Sequence, residues 1–289
     1  MKKISYIIEF FIVYIFFYIL RLIPMTLVSL IGGKLFQIAG PLSRSHQTAI
    51  SNYKKVFPDE SEKEIKTNIS KSWNNLGKTV IEFTILKKIL NEKNNRIKII
   101  GNKYLDQIKK KNEQVIFFGI HQANWELLVP SLDKLGIKIG AIYRHINNPY
   151  INALISNIRT QTLQSKESFY TPKGKESAKK ILSAIHKKQS IILLIDQKDN
   201  AGNDVKLFNY NVKTQTGFLK IAKKNNLKLI PVQTIREKIN NFRIIFHHPL
   251  NPFNNHKNDI DIMSEIHELI EKWIKKNPDQ WLWQHKRFD

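Results

Sequence analysis

Cysteine is absent from this 289-residue chain. Its absence excludes disulfides, thiolate metal ligands and a cysteine-bound acyl intermediate. Acidic residues are also scarce, with 24 Asp plus Glu against 47 Lys plus Arg and a formal net charge of +23. The G-x-S-x-G pattern of a serine nucleophile elbow is missing as well, so a hydroxyl nucleophile, if one is used, is expected to come from a substrate.

The positive charge predicts a polyanionic partner, either nucleic acid or an anionic membrane surface. Lysines and arginines are scattered from Lys54 to Arg287 and form no single basic tract. A nucleic-acid-binding protein would require aromatic residues interleaved with basic ones on one platform, or a recognised module, and neither is visible. We therefore keep nucleic-acid binding only as the less favoured alternative.

The N-terminal segment favours the membrane. Residues 4–20 are apolar and aromatic apart from Glu9, and a second apolar stretch covers residues 22–40. The first run is just long enough to span a bilayer, and no small-residue cleavage site follows it as in a secretory signal. We predict an anchor in residues 1–40 and a catalytic domain in residues 41–289, with Glu9 directed at water or a partner helix. The excess of Lys and Arg in the body predicts that it lies on the cytoplasmic side.

Beyond the anchor, apolar runs alternate with amphipathic segments, and residues 60–90 are helical in pattern. Strands are predicted at residues 115–120, 137–143, 191–195, 227–232 and 242–246. Helices are predicted at residues 125–135, 175–187, 217–224 and 260–274. Continuous apolar strands separated by helices predict an α/β fold with a mostly parallel central sheet flanked by helices, preceded by the N-terminal anchor helix.

The most distinctive local pattern is GIHQANWELL. His121 follows the predicted strand 115–120 at its carboxyl end, where open α/β sheets bind their ligands, and Glu126 lies five positions later. Five positions on one helix are about 140° apart, so the two side chains can meet only if the loop folds Glu126 back. A paired imidazole and carboxylate would form a general base. Alternatively, His121 caps the helix and Glu126 is a first-turn acid.

These motifs resemble the late acyltransferases of lipid A biosynthesis, the lauroyl and myristoyl transferase family of Gram-negative inner membranes. That family combines a membrane anchor, an H-x4-D/E motif and a Y-R-x-x-x-N-P segment. The matching positions here are His121 and Glu126, then Tyr143 and Arg144 with Asn148 and Pro149. Further matches are Arg159, the pair Asp196–Gln197, the loop with Phe208, Asn209 and Thr214, and the closing tract QWLWQHKRF.

The resemblance implies transfer of an acyl group from an acyl carrier protein to a hydroxyl of the lipid A precursor. The scattered histidines show no metal-ligand spacing with acids, so we expect no metal, and we expect no other cofactor. His121 would be the base and Glu126 its orienting partner. Substrate-binding residues would be Asn124, Tyr143, Arg144, Arg159, Asp196 and Gln197. Because a guanidinium forks onto phosphate oxygens, Arg144 and Arg159 could bind the precursor's phosphates or stabilise thioester charge.

Alternatives remain for several of these assignments. Surface ion pairing could explain either arginine, and Asp196 and Gln197 could cap a loop. The Trp281–Trp283 region could form an interfacial belt or pack in the core. A lysophospholipid or glycerol-phosphate acyltransferase would use the same motif, although its P-E-G-T-R element is missing here. Departures from the family pattern include His145 in place of a proline and Asn209 in place of a glycine, and asparagine still tolerates a left-handed backbone.

Overall fold

The computed structural model describes residues 2–251, 253 and 258–288. Eleven α-helices occur in these ranges: α1 Lys2–Leu22, α2 Met25–Ala39, α3 Ser45–Val56, α4 Glu62–Glu82, α5 Leu86–Ile89, α6 Asn102–Lys111, α7 Leu128–Lys134, α8 Pro149–Thr160, α9 Lys175–His186, α10 Gly217–Lys224 and α11 Asp259–Lys276. The strands in the same ranges are β1 Ile97–Ile100, β2 Val115–Gly119, β3 Ile139–Tyr143, β4 Phe169–Pro172, β5 Ser190–Leu194, β6 Asn203–Leu207, β7 Tyr210–Thr214, β8 Lys228–Lys238 and β9 Asn241–Phe246.

Seven strands form the central sheet in the order β1-β9-β8-β2-β5-β3-β4. Every neighbouring pair is parallel except β8 with β9, which are antiparallel. The predicted mostly parallel sheet flanked by helices is therefore confirmed. The strand β2, VIFFG, is buried at every position, as expected for a central strand covered on both faces.

All five predicted strands occur, with one substantial change of length. β8 continues from the predicted end at residue 232 to Lys238, because its second half pairs with β9 in an antiparallel hairpin. The short strands β1 and β4 and the hairpin β6–β7 were not predicted. The hairpin turns at Phe208 and Asn209, which both have positive φ values of 49° and 66°. The expectation that Asn209 tolerates a left-handed backbone is thus confirmed.

Local sequence explains where the helices begin. Ser61 and Glu64 form a reciprocal capping box at the start of α4. At the start of α8, Asn148 caps the helix and Pro149 occupies its first turn. The segment predicted as one helix at residues 125–135 begins as a 3₁₀ turn at Trp125–Leu127 and continues as α7. The predicted helix at residues 60–90 is likewise divided, into α4, a 3₁₀ turn and α5.

The two N-terminal helices differ in how they contact the body. Both are long and apolar enough to cross a membrane, as the segments Lys3–Leu22 and Met25–Leu42, but by length and composition only. Most of α1 is exposed, and Glu9 accepts a hydrogen bond of 3.0 Å from Asn148 of the α8 cap, as predicted for a contact with a partner helix. The helix α2 packs closely on α4, where Gly32 and Gly77 meet: a Cβ on Gly77 would lie 2.2 Å from the carbonyl oxygen of Gly32. A side chain at this crossing would separate the helices.

Candidate active site

The register of two neighbouring strands places His121 beside Asp196. β2 and β5 are parallel, with Gly119 level with Leu194, and each strand is followed two residues later by one of these side chains. Nδ1 of His121 lies 2.8 Å from Oδ1 of Asp196, and the His121 backbone N–H donates to Oδ2 at 2.9 Å. The site therefore lies at the carboxyl edge of the sheet, where His121 was predicted to be.

Asp196 is fully buried and has three donors around its carboxylate. Besides the two from His121, the indole N–H of Trp281 donates to Oδ2 at 2.8 Å. Burial would raise the pKa of Asp196, but the charge and hydrogen bonds of His121 outweigh it and hold the pKa below its ordinary value. An ionised Asp196 requires a proton on Nδ1 of His121, which leaves Nε2 with its lone pair free to accept a proton.

The other ring nitrogen of His121, Nε2, lies beside Gln197 and not beside a carboxylate. The His121 side chain keeps 15% of its surface exposed, whereas Asp196 keeps none. The side-chain amide nitrogen of Gln197 lies 3.3 Å from Nε2, and the Trp125 ring contacts the imidazole edge-on with centroids 5.1 Å apart. The imidazole is thus partly exposed, and the Gln197 amide lies within hydrogen-bond distance of Nε2. Asp196 and Gln197 were both expected near the site, and the structure places them there.

The predicted hydrogen-bonded pair of His121 and Glu126 does not form in this structure. Glu126 instead accepts two hydrogen bonds from Arg159, at 2.8 Å from Nε and 2.6 Å from Nη2, and one from the Trp125 indole at 3.2 Å. The tight turn after His121 carries Glu126 onto the 3₁₀ turn, where α8 presents Arg159. The Glu126 carboxylate is therefore held by the Arg159 guanidinium. The carboxylate that reaches the His121 imidazole comes from Asp196, after the neighbouring strand β5.

Arg159 is enclosed and already paired with a carboxylate, so its expected role as a phosphate ligand stays a prediction. The guanidinium forms a bidentate ion pair with Glu126 and lies over the rings of Tyr143, Tyr170 and Phe83 at 5.0, 5.9 and 5.4 Å. The two N–H groups that donate to Glu126 are the forked pair with which a guanidinium would bind a phosphate, so Glu126 already occupies them. Tyr143, expected to bind substrate, forms part of this enclosure.

The remaining two predicted residues have contrasting environments. Asn124 is fully buried, and its amide donates to Glu82 at 2.7 Å, so this group supports the loop from the interior of the protein. Arg144 is exposed after β3 and has no ion pair among the described residues. Of the two arginines, only Arg144 is therefore available to a phosphate in this structure.

The C-terminal tract holds the loop that carries His121. The backbone N–H of Ala123, which has a positive φ of 49°, donates to the Gln280 carbonyl at 2.9 Å. The backbone N–H of Leu282 donates to the His121 carbonyl at 3.0 Å. Trp281 and Trp283 are 1% and 0% exposed, which decides between the two predictions for this tract in favour of core packing. The contact of Trp281 with Asp196 was not predicted, although the tract itself had been noted among the resembling motifs.

A buried carboxylate behind an imidazole, at the carboxyl edge of a parallel sheet, is an arrangement for general-base catalysis. The fold and site thus define an α/β protein equipped to activate a hydroxyl or another weak acid. The chain belongs to the bacterial lipid A biosynthesis acyltransferase family, whose model matches residues 1–289. It is a lipid A acyltransferase by family, and this confirms the resemblance noted in the sequence.

Individual relatives are distant. The chain is 23% identical over 273 residues to a lipid A biosynthesis palmitoleoyltransferase of Escherichia coli strain K12, covering 92% of this chain and 86% of the relative. Identity and coverage are the same for a lipid A biosynthesis acyltransferase of Shigella flexneri. Among solved structures, the 1-acyl-sn-glycerophosphate acyltransferase PlsC of Thermotoga maritima aligns over 96% of this chain and 98% of its own, with a TM-score of 0.40 and 12% identity.

Proposed function

We propose that the protein transfers a fatty acyl group from an acyl carrier protein thioester to a hydroxyl of a phosphorylated lipid A precursor. The contact that supports this most directly is the 2.8 Å hydrogen bond between His121 and the buried Asp196. In this proposal His121 is the general base and Asp196 is its positioning residue. Family membership supports the acyl-transfer chemistry, and the lack of cysteine agrees with direct transfer to the acceptor.

The proposed reaction needs one proton acceptor that is later a proton donor. Nε2 of His121 takes the proton of the acceptor hydroxyl as its oxygen attacks the thioester carbonyl. The resulting imidazolium is stabilised by Asp196, which also keeps Nδ1 protonated. The carbon–sulfur bond then breaks, the ester is formed, and the leaving thiolate recovers the proton from Nε2. No covalent acyl-enzyme is required.

Glu126 has a different role in this proposal from the one first expected. Its carboxylate neutralises the buried Arg159 and fixes the 3₁₀ turn that follows His121. Removing one member of a buried pair leaves an uncompensated charge, which costs about 3–5 kcal/mol. We therefore propose that Glu126 and Arg159 act together to shape the wall of the site, and that Arg144 is the member of the Y-R-x-x-x-N-P segment that meets the acceptor.

We further propose that α1 anchors the protein in the bacterial inner membrane, with the catalytic body on the cytoplasmic side. Apolar side chains that are 47–64% exposed lie along α1, including Ile4, Ile12, Tyr14 and Tyr18. Such a surface is stable against lipid but costly in water. Deletion of residues 2–22 should shift the protein to the soluble fraction, and its recovery in membranes would place the main attachment elsewhere.

Mass analysis of reaction products tests the proposed function. Purified protein in detergent is incubated with a tetra-acylated, phosphorylated lipid A precursor and with acyl carrier protein thioesters of several chain lengths. We expect the precursor to gain one acyl mass, and His121→Ala protein to give none. Parallel reactions use coenzyme A thioesters as donor and lysophosphatidic acid as acceptor. Exclusive acylation of lysophosphatidic acid would favour the glycerolipid alternative.

A further inference from the structure

A polar cleft with a volume of about 510 Å³ lies beside the loop that carries His121. It opens between α2, α4 and the β8–β9 hairpin, and Gln280 is one of its lining residues. The Gln280 carbonyl accepts hydrogen bonds from the Ala123 backbone N–H of the His121 loop and from the Asn75 side chain. The cleft and the His121 loop therefore share a wall. Its volume is in the range of sites that hold small molecules or headgroups.

The charges that line this cleft are unbalanced. Arg236 is neutralised by a bidentate ion pair with the buried Glu82, and Glu237 pairs with Arg243. Three of the lysines that line the cleft have no ion pair among the described residues, namely Lys71, Lys78 and Lys238. Because Glu237 is paired with Arg243, Asp279 is the one lining carboxylate without an ion pair in the described part of the chain.

Lys78 is the member of this set with the least access to water. It is half-buried on α4, whereas Lys71 and Lys238 are exposed. Burial and the neighbouring charge of Arg236 lower the pKa of the Lys78 ammonium, against the opposing effect of Glu82 and Asp279. A half-buried cation that has no ion-pair partner is stabilised when an anion enters the cleft.

The position of the cleft indicates which anion can reach it. Gln37 contributes to its lining and belongs to Met25–Leu42, the second segment that is apolar enough to cross a membrane. A headgroup attached to membrane-embedded acyl chains would thus enter the cleft from its α2 side. Lysine ammonium groups are point-charge ligands for phosphate oxygens.

We propose that this cleft binds a phosphate group of a lipid headgroup, with Lys78 as its inner ligand and Lys71 and Lys238 at its mouth. This inference rests on the proposed function for the identity of the lipid, namely a phosphorylated glycolipid acceptor. The acceptor would thus have a phosphate contact in this cleft in addition to its contacts with Arg144 and with the His121 site.

Binding measured without any acyl donor tests the cleft separately from catalysis. Full-length protein in detergent is titrated with a diphosphorylated lipid A precursor, with the same glycolipid after phosphatase treatment, and with inorganic phosphate. We expect Lys78→Gln to raise the Kd for the phosphorylated glycolipid about tenfold, the size of effect typical of one lost charge-assisted hydrogen bond. Lys78→Gln should not change the Kd for the dephosphorylated form.

Two further variants keep the test decisive if Lys78→Gln folds poorly. The double variant Lys71→Gln/Lys238→Gln alters only exposed side chains and should weaken the same interaction, whereas Lys110→Gln on α6 should not. Unchanged binding in both cleft variants, or an equal loss for both glycolipids, would overturn the proposal. Inorganic phosphate binding as tightly as the glycolipid would reject a lipid headgroup as the ligand. Wild-type protein that binds through the cleft but transfers no acyl group would refute the proposed function and leave this inference standing.

Discussion

The indole N–H of Trp281 donates to Oδ2 of Asp196 at 2.8 Å, while Oδ1 of the same carboxylate accepts a hydrogen bond from Nδ1 of His121 at 2.8 Å. A residue 85 positions away in sequence thereby fixes the rotation of the carboxylate that is hydrogen-bonded to His121. We expect Trp281→Phe, which keeps an aromatic ring but removes the indole N–H, to lower kcat about tenfold, because one hydrogen bond to a charged group is lost.

A split between kcat and KM, measured beside thermal unfolding, separates this effect from a general loss of packing. Without the Trp281 donor, the Asp196 carboxylate keeps only the two donors of His121, so kcat should fall while KM stays near the wild-type value. Trp283→Phe serves as the control, because the Trp283 indole donates to the Pro278 carbonyl and not to Asp196. Equal losses of kcat and of stability in both variants would contradict a positioning role for Trp281.

The roles of Asp196 and Glu126 can be distinguished by isosteric variants. Asp196→Asn should lower kcat of the folded protein by at least about 100-fold, because an amide can place the imidazole in the wrong tautomer. Glu126→Gln should instead lower the free energy of unfolding by about 3–5 kcal/mol, because the buried Arg159 loses its counter-charge. Thermal unfolding and steady-state kinetics on both proteins check this. A stable Glu126→Gln protein with the larger loss of kcat would restore Glu126 as the partner of His121.

The close crossing of α2 and α4 is testable at Gly77. In an exposed helix, Gly→Ala stabilises by about 1 kcal/mol. Here the added Cβ would lie 2.2 Å from the Gly32 carbonyl oxygen, so we expect Gly77→Ala to destabilise the protein by about 1–3 kcal/mol. Lys66→Ala, at an exposed position of α4, is the matched control. The measurement is the denaturation midpoint in detergent, and a midpoint raised by Gly77→Ala would show that the helices do not pack this way.

Acid should destabilise the fold through His267. Its Nδ1 donates to the Lys206 carbonyl at 2.6 Å, and burial, together with the Arg287 charge, lowers its pKa to about 4. Between that value and the unfolded pKa of about 6.5, the unfolded state binds the extra proton. The stability contribution of neutral His267 is therefore complete above about pH 6.5 and is lost as the pH falls toward 4. Urea denaturation at several pH values should show a flatter dependence for His267→Gln than for the wild type.

Patterns along the chain determined the class of fold and the position of His121. The apolar run VIFFGI predicted a buried central strand, and His121 follows it at the carboxyl edge, as the structure shows. These features depend on short-range periodicity and on the general geometry of parallel sheets, which a sequence carries directly. Asp196 and Gln197 follow the IILLI strand, and the family resemblance marked them as candidate site residues.

The pairing of charges was decided only by the tertiary structure. The family resemblance implied Glu126 as the partner of His121, but the register of β2 with β5 brings Asp196 to the imidazole, and α8 supplies Arg159 to Glu126. The contact of Trp281 with Asp196 likewise depends on the return of the C-terminal tract across the sheet edge. Side-chain partners between elements distant in sequence follow from strand register and helix docking, and neither is encoded in the local pattern around any one residue.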